Sequence, residues 1–307
     1  MNIYFAPLQG YTDAAYRRFH DEVYDGCIDA YYTPFMRVEK GKVRVKDLRD
    51  INYQYNIQEK VIPQIIVKNI DEFRILVPSI LNEGYREIDL NVGCPFPLQV
   101  NKGRGAGLIL NRDSAFEIFK EISTLKDVVF SLKMRLGVTE NNQWKLLREV
   151  INDTPFKHVT LHPRCAKQQY KGCLDIDSFS IFCEEINHDI IYNGDVTEIE
   201  QIDLIAHKFP QIHGIMIGRG LMARPSMACE YKHKIRLTHK QQLEKFIQLH
   251  NKLFQFYSSN LNGETHLLIK MKSFWDYSES LLGHKHYKSI KKATSMSKYI
   301  NAISELM

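Results

Sequence analysis

With 307 residues, 44% hydrophobic and 25% charged, the chain can hold one large α/β barrel or two ordinary domains, and no low-complexity tract points to disorder. No run of about 18 apolar residues exists, so no membrane span is expected. The net charge of +5 is uneven: from Pro225 onward 13 Lys and Arg face 6 Asp and Glu, whereas the first 224 residues carry 28 basic and 30 acidic groups.

The chain opens on a short apolar strand at residues 2–6, ended by Pro7 and followed by Gln9-Gly10-Tyr11-Thr12-Asp13. No basic region or long apolar stretch precedes it, so no export signal is expected and the cytoplasm is the expected location. Thr12 or Asp13 is placed to cap a helix over 14–20. A second strand is predicted at 29–33, and the segment 37–59 is irregular. The third strand, 61–67, is apolar enough to be buried on both faces. Pro63 and Gln64 interrupt it, and a buried glutamine needs a hydrogen-bonding partner.

Helical and strand patterns then alternate. Helices are predicted at 71–83, 114–124, 144–151, 176–186 and 197–207. Strands are predicted at 86–91, 128–134, 158–161, 190–192 and 214–217. Eight strands separated by helices predict a parallel (β/α)₈ TIM barrel rather than an open doubly wound sheet, because no glycine-rich dinucleotide fingerprint follows the first strand. After Pro225 the strand signals stop, and three helices are predicted at 240–257, 267–281 and 287–304. The expected division is a barrel over 1–224, a linker over 225–238 and a small helical bundle domain over 239–307. The basic bundle invites a polyanion, most commonly nucleic acid.

Chemistry-bearing residues gather at the ends of the predicted strands: Gln9, Gln64, Asn91 with Cys94, Lys133 and Arg135, His162 and Arg164, Asn193 and Asp195, Gly218 and Arg219. In a barrel these ends meet on the face that holds the active site. Glycine backbone at Gly194, Gly218 and Gly220, together with Arg219, suits a phosphate after strands seven and eight. Lys133 is placed to neutralise an electron-rich ring, and Gln64 to meet a heterocycle edge. These features fit FMN. The six cysteines (Cys27, Cys94, Cys165, Cys173, Cys183, Cys229) show no C-x-x-C spacing, so neither a zinc site nor a disulfide framework is expected.

The strings Ala6-Pro7-Leu8-Gln9-Gly10-Tyr11-Thr12-Asp13, Asp89-Leu90-Asn91-Val92-Gly93-Cys94-Pro95 and Gly103-Arg104-Gly105-Ala106-Gly107 carry a family resemblance. So do Lys133-Met134-Arg135-Leu136-Gly137, Asn193-Gly194-Asp195 and Met216-Ile217-Gly218-Arg219-Gly220. Over nearly its whole length the chain resembles the tRNA-dihydrouridine synthases, the bacterial members most. Two departures stand out. His162-Pro163-Arg164-Cys165 replaces the usual His-Gly-Arg-Thr, and Leu8 replaces a common methionine. The resemblance implies an FMN barrel with a helical tRNA-binding domain that reduces the uridine C5–C6 double bond, with NADPH as reductant. It implies FMN contacts at Pro7, Leu8, Gln9, Gln64, Lys133, His162, Asn193, Gly194, Asp195, Gly218 and Arg219. Cys94 would be the acid that protonates C5, and Asn91, Arg135 and Arg164 would meet the substrate. A thiol with an ordinary pKa near 8.5 is roughly 97% protonated at pH 7, so it can act as an acid without tuning. Lys270, Lys272, Lys285, Lys288, Lys291 and Lys292 are candidates for tRNA phosphates, and Tyr11 or Phe35 for stacking on the extruded base. A monomer without metal is expected.

Overall fold

The computed structural model describes residues 1–306. Its main sheet is parallel throughout and winds into a barrel. The first strand, Asn2–Phe5, lies between the second, Ala30–Tyr32, and the last, Gly214–Ile217. From there the order runs back through Asp189–Tyr192, Phe156–Cys165, Val129–Gly137 and Glu87–Val92. The predicted third strand is in two pieces, Val61–Ile62 on the second strand and Gln64–Ile65 on the fourth. Pro63 joins them and brings the ring together: it lacks a donor, but its carbonyl accepts from the Asp89 N–H at 2.9 Å. The Gln64 N–H donates to Thr33 Oγ1 at 3.0 Å, so the break leaves that donor satisfied.

Side chains alternate along each strand, which sorts the lumen from the outer layer. On the fourth strand Ile88, Leu90 and Val92 are fully buried among the apolar residues of the large core, where strands meet helices. Asp89 and Asn91 face the other way, as do Ser131 and Lys133 on the fifth strand. The lumen is thus apolar on one side, through Tyr4, Ala6, Tyr32, Ile62, Ile191 and Met216, and polar on the other. At its lower end Tyr32 Oη is 2.7 Å from His158 Nε2.

The helix Ala14–Val23 begins at Asp13, whose carboxylate accepts from the Tyr16 N–H at 3.2 Å. The segment expected to be irregular contains a two-stranded antiparallel hairpin, Val38–Glu39 with Lys42–Val43, and a short helix, Val45–Asp50. The sixth strand is much longer than its predicted core. His162, Pro163, Arg164 and Cys165 extend it, with a register shift between the Arg135 and Gly137 pairings.

Beyond the barrel, residues 225–238 hold the helix Met227–His233, and Met227, Ala228, Cys229 and Glu230 are buried. Among the described residues the helical stretches that follow are His239–Asn260, Glu264–Phe274, Glu279–Lys292 and Met296–Ser304, not the predicted three, and the third is broken by a kink at Gly283. The extra break falls where Ser295 starts a new helix, its hydroxyl accepting from the Lys298 N–H at 3.3 Å. Trp275, at the end of the second, donates from its Nε1 to Tyr299 Oη on the last at 2.8 Å. Among the described residues no helix is long and apolar enough to cross a membrane.

Candidate active site

A cavity of about 1050 Å³ opens at the C-terminal ends of the barrel strands. Pro7, Leu8, Gln9, Gln64, Asn91, Cys94, Lys133, Arg135, His162, Asn193, Gly194, Asp195, Gly218 and Arg219 all line it. Of the residues expected to meet cofactor or substrate, Arg164 is absent from its wall, and so are Gly220 and Tyr11; for Arg164 the reason is an ion pair. Arg164 donates to Asp195 at 3.2 and 2.5 Å and to the Gly172 carbonyl at 2.7 Å, and it is 2% exposed. In this structure it holds Asp195.

The Cys94 loop is fastened to the barrel by a chain of side-chain bonds. Ser131 Oγ and Gln64 Nε2 each donate to the Asp89 carboxylate at 2.7 Å. Asn91 Nδ2 donates to Gln64 Oε1 at 2.7 Å, and Asn91 Oδ1 accepts from the N–H groups of Gly93 at 3.0 Å and Cys94 at 2.8 Å. Both polar ends of Asn91 are thereby engaged within the protein, and so are both ends of Gln64. From below, the Ala106 N–H donates to the Cys94 carbonyl at 3.1 Å. Gly105 makes that approach possible. Its φ is +57°, and a Cβ there would stand 2.7 Å from Cys94 Cβ.

Arg135 also works on the scaffold. Its Nε donates to the Gly93 carbonyl at 3.0 Å, and one terminal nitrogen donates to the Cys165 and Gln169 carbonyls at 3.2 and 2.8 Å. Its guanidinium lies 5.5 Å from the centre of the Tyr170 ring, and that of Arg219 lies 4.6 Å from it. Tyr170 escaped the sequence reading because it sits in a loop outside any strand-end pattern. Arg219 shares Asp195 with Arg164, donating to it at 2.7 Å. The two guanidiniums hold the Asp195 carboxyl below its ordinary pKa against the opposing effect of burial. Two arginines against one carboxylate leave a net positive charge, which suits an anion.

Burial raises the pKa of the Cys94 thiol, only partly offset by the Phe96 N–H, Arg135 and Lys133. Burial, with the nearby Arg135, brings the Lys133 ammonium down to about 8, while Asp89 and Cys94 act the other way. Burial pushes the Asp89 carboxyl up to about 7. His162 is held neutral, its pKa far below the usual imidazole value because of burial and the surrounding arginines and Lys133. Its Nδ1 is buried and has no partner among the described residues, while the residue itself lines the cavity.

Around the mouth, sequence reasoning missed a basic rim formed by Arg37, Lys40, Lys68 and Lys102. Phe35 does line the cavity. Tyr11 does not; its hydroxyl donates to Asp276 at 2.9 Å. Three of the expected phosphate contacts are also engaged internally. Lys270 bridges Asp13 at 2.8 Å, Lys272 donates to the Ala293 carbonyl at 2.8 Å, and Lys291 pairs with Asp276. Lys285, Lys288 and Lys292 remain exposed.

Comparison with known proteins agrees with this architecture. A Staphylococcus epidermidis protein named "Probable tRNA-dihydrouridine synthase" is 26% identical over 262 residues, covering 83% of this chain and 78% of that protein. A Helicobacter pylori protein of the same name is 26% identical over 231 residues, covering 73% and 67%. Among solved structures, the old yellow enzyme from Trypanosoma cruzi matches with a TM-score of 0.53 at 9% identity, over 77% of this chain and 89% of that one, a likeness of fold. The family profile described as Dihydrouridine synthase (Dus) matches residues 4–305, nearly the entire chain, and the chain accordingly belongs to the dihydrouridine synthase family.

Proposed function

We propose that this protein is a flavin-dependent tRNA-dihydrouridine synthase, reducing the C5–C6 double bond of uridines in tRNA with FMN as cofactor and NADPH as reductant. The observation that carries the reading is the meeting of three residues on one cavity in a member of this family: Cys94, Lys133 and the neutral His162.

The residues present fit FMN. Lys133 and His162 would meet its ring system, with Pro7, Leu8, Gln9 and Gln64 along the wall. Asn193, Gly194, Asp195, Gly218 and Arg219 would surround its phosphate, in the position this barrel type commonly uses. When bound, FMN would supply the hydride that adds to C6 of the uracil ring.

The protein's own task is then to manage charge and a proton. Hydride addition at C6 leaves negative charge at C5, which a donor must quench. Cys94 is suited to this because burial keeps its thiol protonated. Asn91 and Arg135 hold the Cys94 loop in place, through the Gly93 and Cys94 N–H groups and the Gly93 carbonyl. Lys133, charged below about pH 8, offsets negative charge in the cavity. The basic rim would bind the phosphates of tRNA, from which the target uridine must be drawn out to reach the cavity floor. We assign catalysis to residues 1–224 and RNA binding to residues 239–307, with 225–238 joining them, in a cytoplasmic monomer.

The test is direct. Purified protein, with its released cofactor identified by chromatography, is incubated with NADPH and a tRNA transcript lacking modifications. FMN in the protein, and a two-hydrogen mass gain at specific uridines, are expected. A colourless protein that cannot be reconstituted with FMN, or unchanged uridine in the presence of FMN, would overturn the reading.

A further inference from the structure

Three ligating side chains converge on the flank of the barrel, away from the cavity. Cys27 lies in the turn after the first barrel helix, behind Asp25 and Gly26, whose φ angles are both positive at 58° and 66°. Cys229 and His233 lie four residues apart on the helix Met227–His233 and so share a face. His233 Nδ1 is 3.6 Å from Cys229 Sγ, and His233 Nε2 is 3.7 Å from Cys27 Sγ. One ligand atom from each of the three residues falls within 4.8 Å of the other two. Asp25 lies beside this cluster without joining it, its Oδ2 3.6 Å from Cys229 Sγ, and a turn of its exposed side chain would bring in a fourth donor.

The two thiols stand against opposite nitrogens of the ring, so a single metal would take one nitrogen and draw in the farther sulfur across the 4.8 Å span. With metal–sulfur bonds of about 2.3 Å and metal–nitrogen bonds of about 2.0–2.1 Å, sulfur and nitrogen ligands stand roughly 3.5 Å apart. Two thiolates with an imidazole favour zinc over magnesium or calcium, which take oxygen ligands. We propose that Cys27, Cys229 and His233 bind a structural Zn²⁺, with Asp25 as the fourth ligand.

The surroundings suit that assignment. Both cysteines are buried while His233 is exposed, which gives a protected site with one path for entry. Two thiolates and one carboxylate outweigh the charge of Zn²⁺, and Lys245 meets the excess, its Nζ 3.5 Å from Asp25 Oδ2. Lys245 comes from the long helix His239–Asn260 and also donates to the Val23 carbonyl at 2.9 Å. The metal would therefore clasp the end of the first barrel helix to the helices that follow the last strand. Cys27 and Cys229 lie about two hundred residues apart in the chain, which is why no zinc motif is visible in the sequence.

The experiment uses the full-length protein purified under reducing conditions, stripped with a chelator and then reloaded with ZnCl₂ or CoCl₂. About one zinc per chain by elemental mass spectrometry is expected, with a higher melting temperature than the stripped protein. The cobalt form should show thiolate-to-cobalt charge transfer and the intense visible bands of a tetrahedral site, a readout that needs no variant. Cys27→Ser and Cys229→Ser should each lose most of the metal, whereas Cys173→Ser, at an exposed cysteine, should keep it. Failure of the reloaded wild type to hold stoichiometric zinc would overturn the proposal. So would undiminished metal in a correctly folded Cys229→Ser, or a disulfide joining Cys27 to Cys229 in the reduced preparation.

Discussion

Cys94 holds the proton on which the proposed chemistry turns, and its surroundings keep it there. Burial raises the thiol pKa, so the rate of a step that consumes this proton is expected to stay flat through neutral pH and to fall only as the thiol ionises on the alkaline side. Cys94→Ala should retain flavin and lose activity by about 10²–10⁴-fold, as for other removed acids. Near wild-type turnover in that variant would exclude Cys94 as the acid. Asp89 gives a second residue-scale prediction. Its folded pKa of about 7 exceeds the unfolded value of about 3.9, so the folded protein keeps a proton that the unfolded chain has released. Its contribution to stability is therefore present at low pH and declines as pH rises from about 4 to about 7. Asp89→Asn should remove that decline, seen as a melting-temperature difference between variant and wild type that grows over this range. Parallel curves would contradict it. At this scale the sequence was most informative where a reactive side chain lies at or just past the predicted end of a strand, as with Cys94, Lys133 and His162, although the fifth and sixth strands run on beyond the last two. It was silent about pairing: nothing in the chain order says that Arg164 and Arg219 share Asp195, or that Asn91 donates to Gln64, which in turn donates to Asp89.

Among the elements, the loop behind Cys94 carries the tightest constraint. Gly105→Ala would place a methyl 2.7 Å from Cys94 Cβ at a φ of +57°. A destabilisation of about 1–3 kcal/mol is expected, together with reduced turnover as the cysteine shifts. An unchanged denaturation midpoint with full activity would show that the loop yields more easily than its packing implies. Barrel strands were legible because each is a short apolar run followed by punctuation. Pro63 was legible as an interruption, but the repair was not: the Thr33 hydroxyl and the Asp89 N–H complete the ladder from two other strands. The hairpin formed by Val38–Glu39 and Lys42–Val43 escaped because two-residue strands leave no periodic trace. The break between the last two helices escaped for a similar reason, since Ser295 reads as an ordinary helical surface residue until its hydroxyl is seen to cap.

Over the whole molecule, the C-terminal cations divide into those held in internal contacts and those exposed to solvent. Lys270, Lys272 and Lys291 hold the helical region to itself and to the barrel, while Lys285, Lys288 and Lys292 face solvent. Changing the exposed three together to Glu should weaken tRNA binding and reduce the slope of log K against log salt by about 2–3, at roughly 0.7–0.9 per phosphate contact. An unchanged slope would move the RNA surface elsewhere, most directly to the rim around Lys40 and Lys102. Composition had already shown that the C-terminal quarter is basic; only the folded chain tells which of its cations are free. The central claim is that one cavity brings a flavin and the Cys94 thiol to the same uridine. It is tested most directly by single-turnover conversion of uridine to dihydrouridine in tRNA, with wild type and Cys94→Ala matched for FMN content. The account predicts rapid conversion by the wild type and a loss of at least about 100-fold in the variant. Equal rates in the two proteins would contradict it.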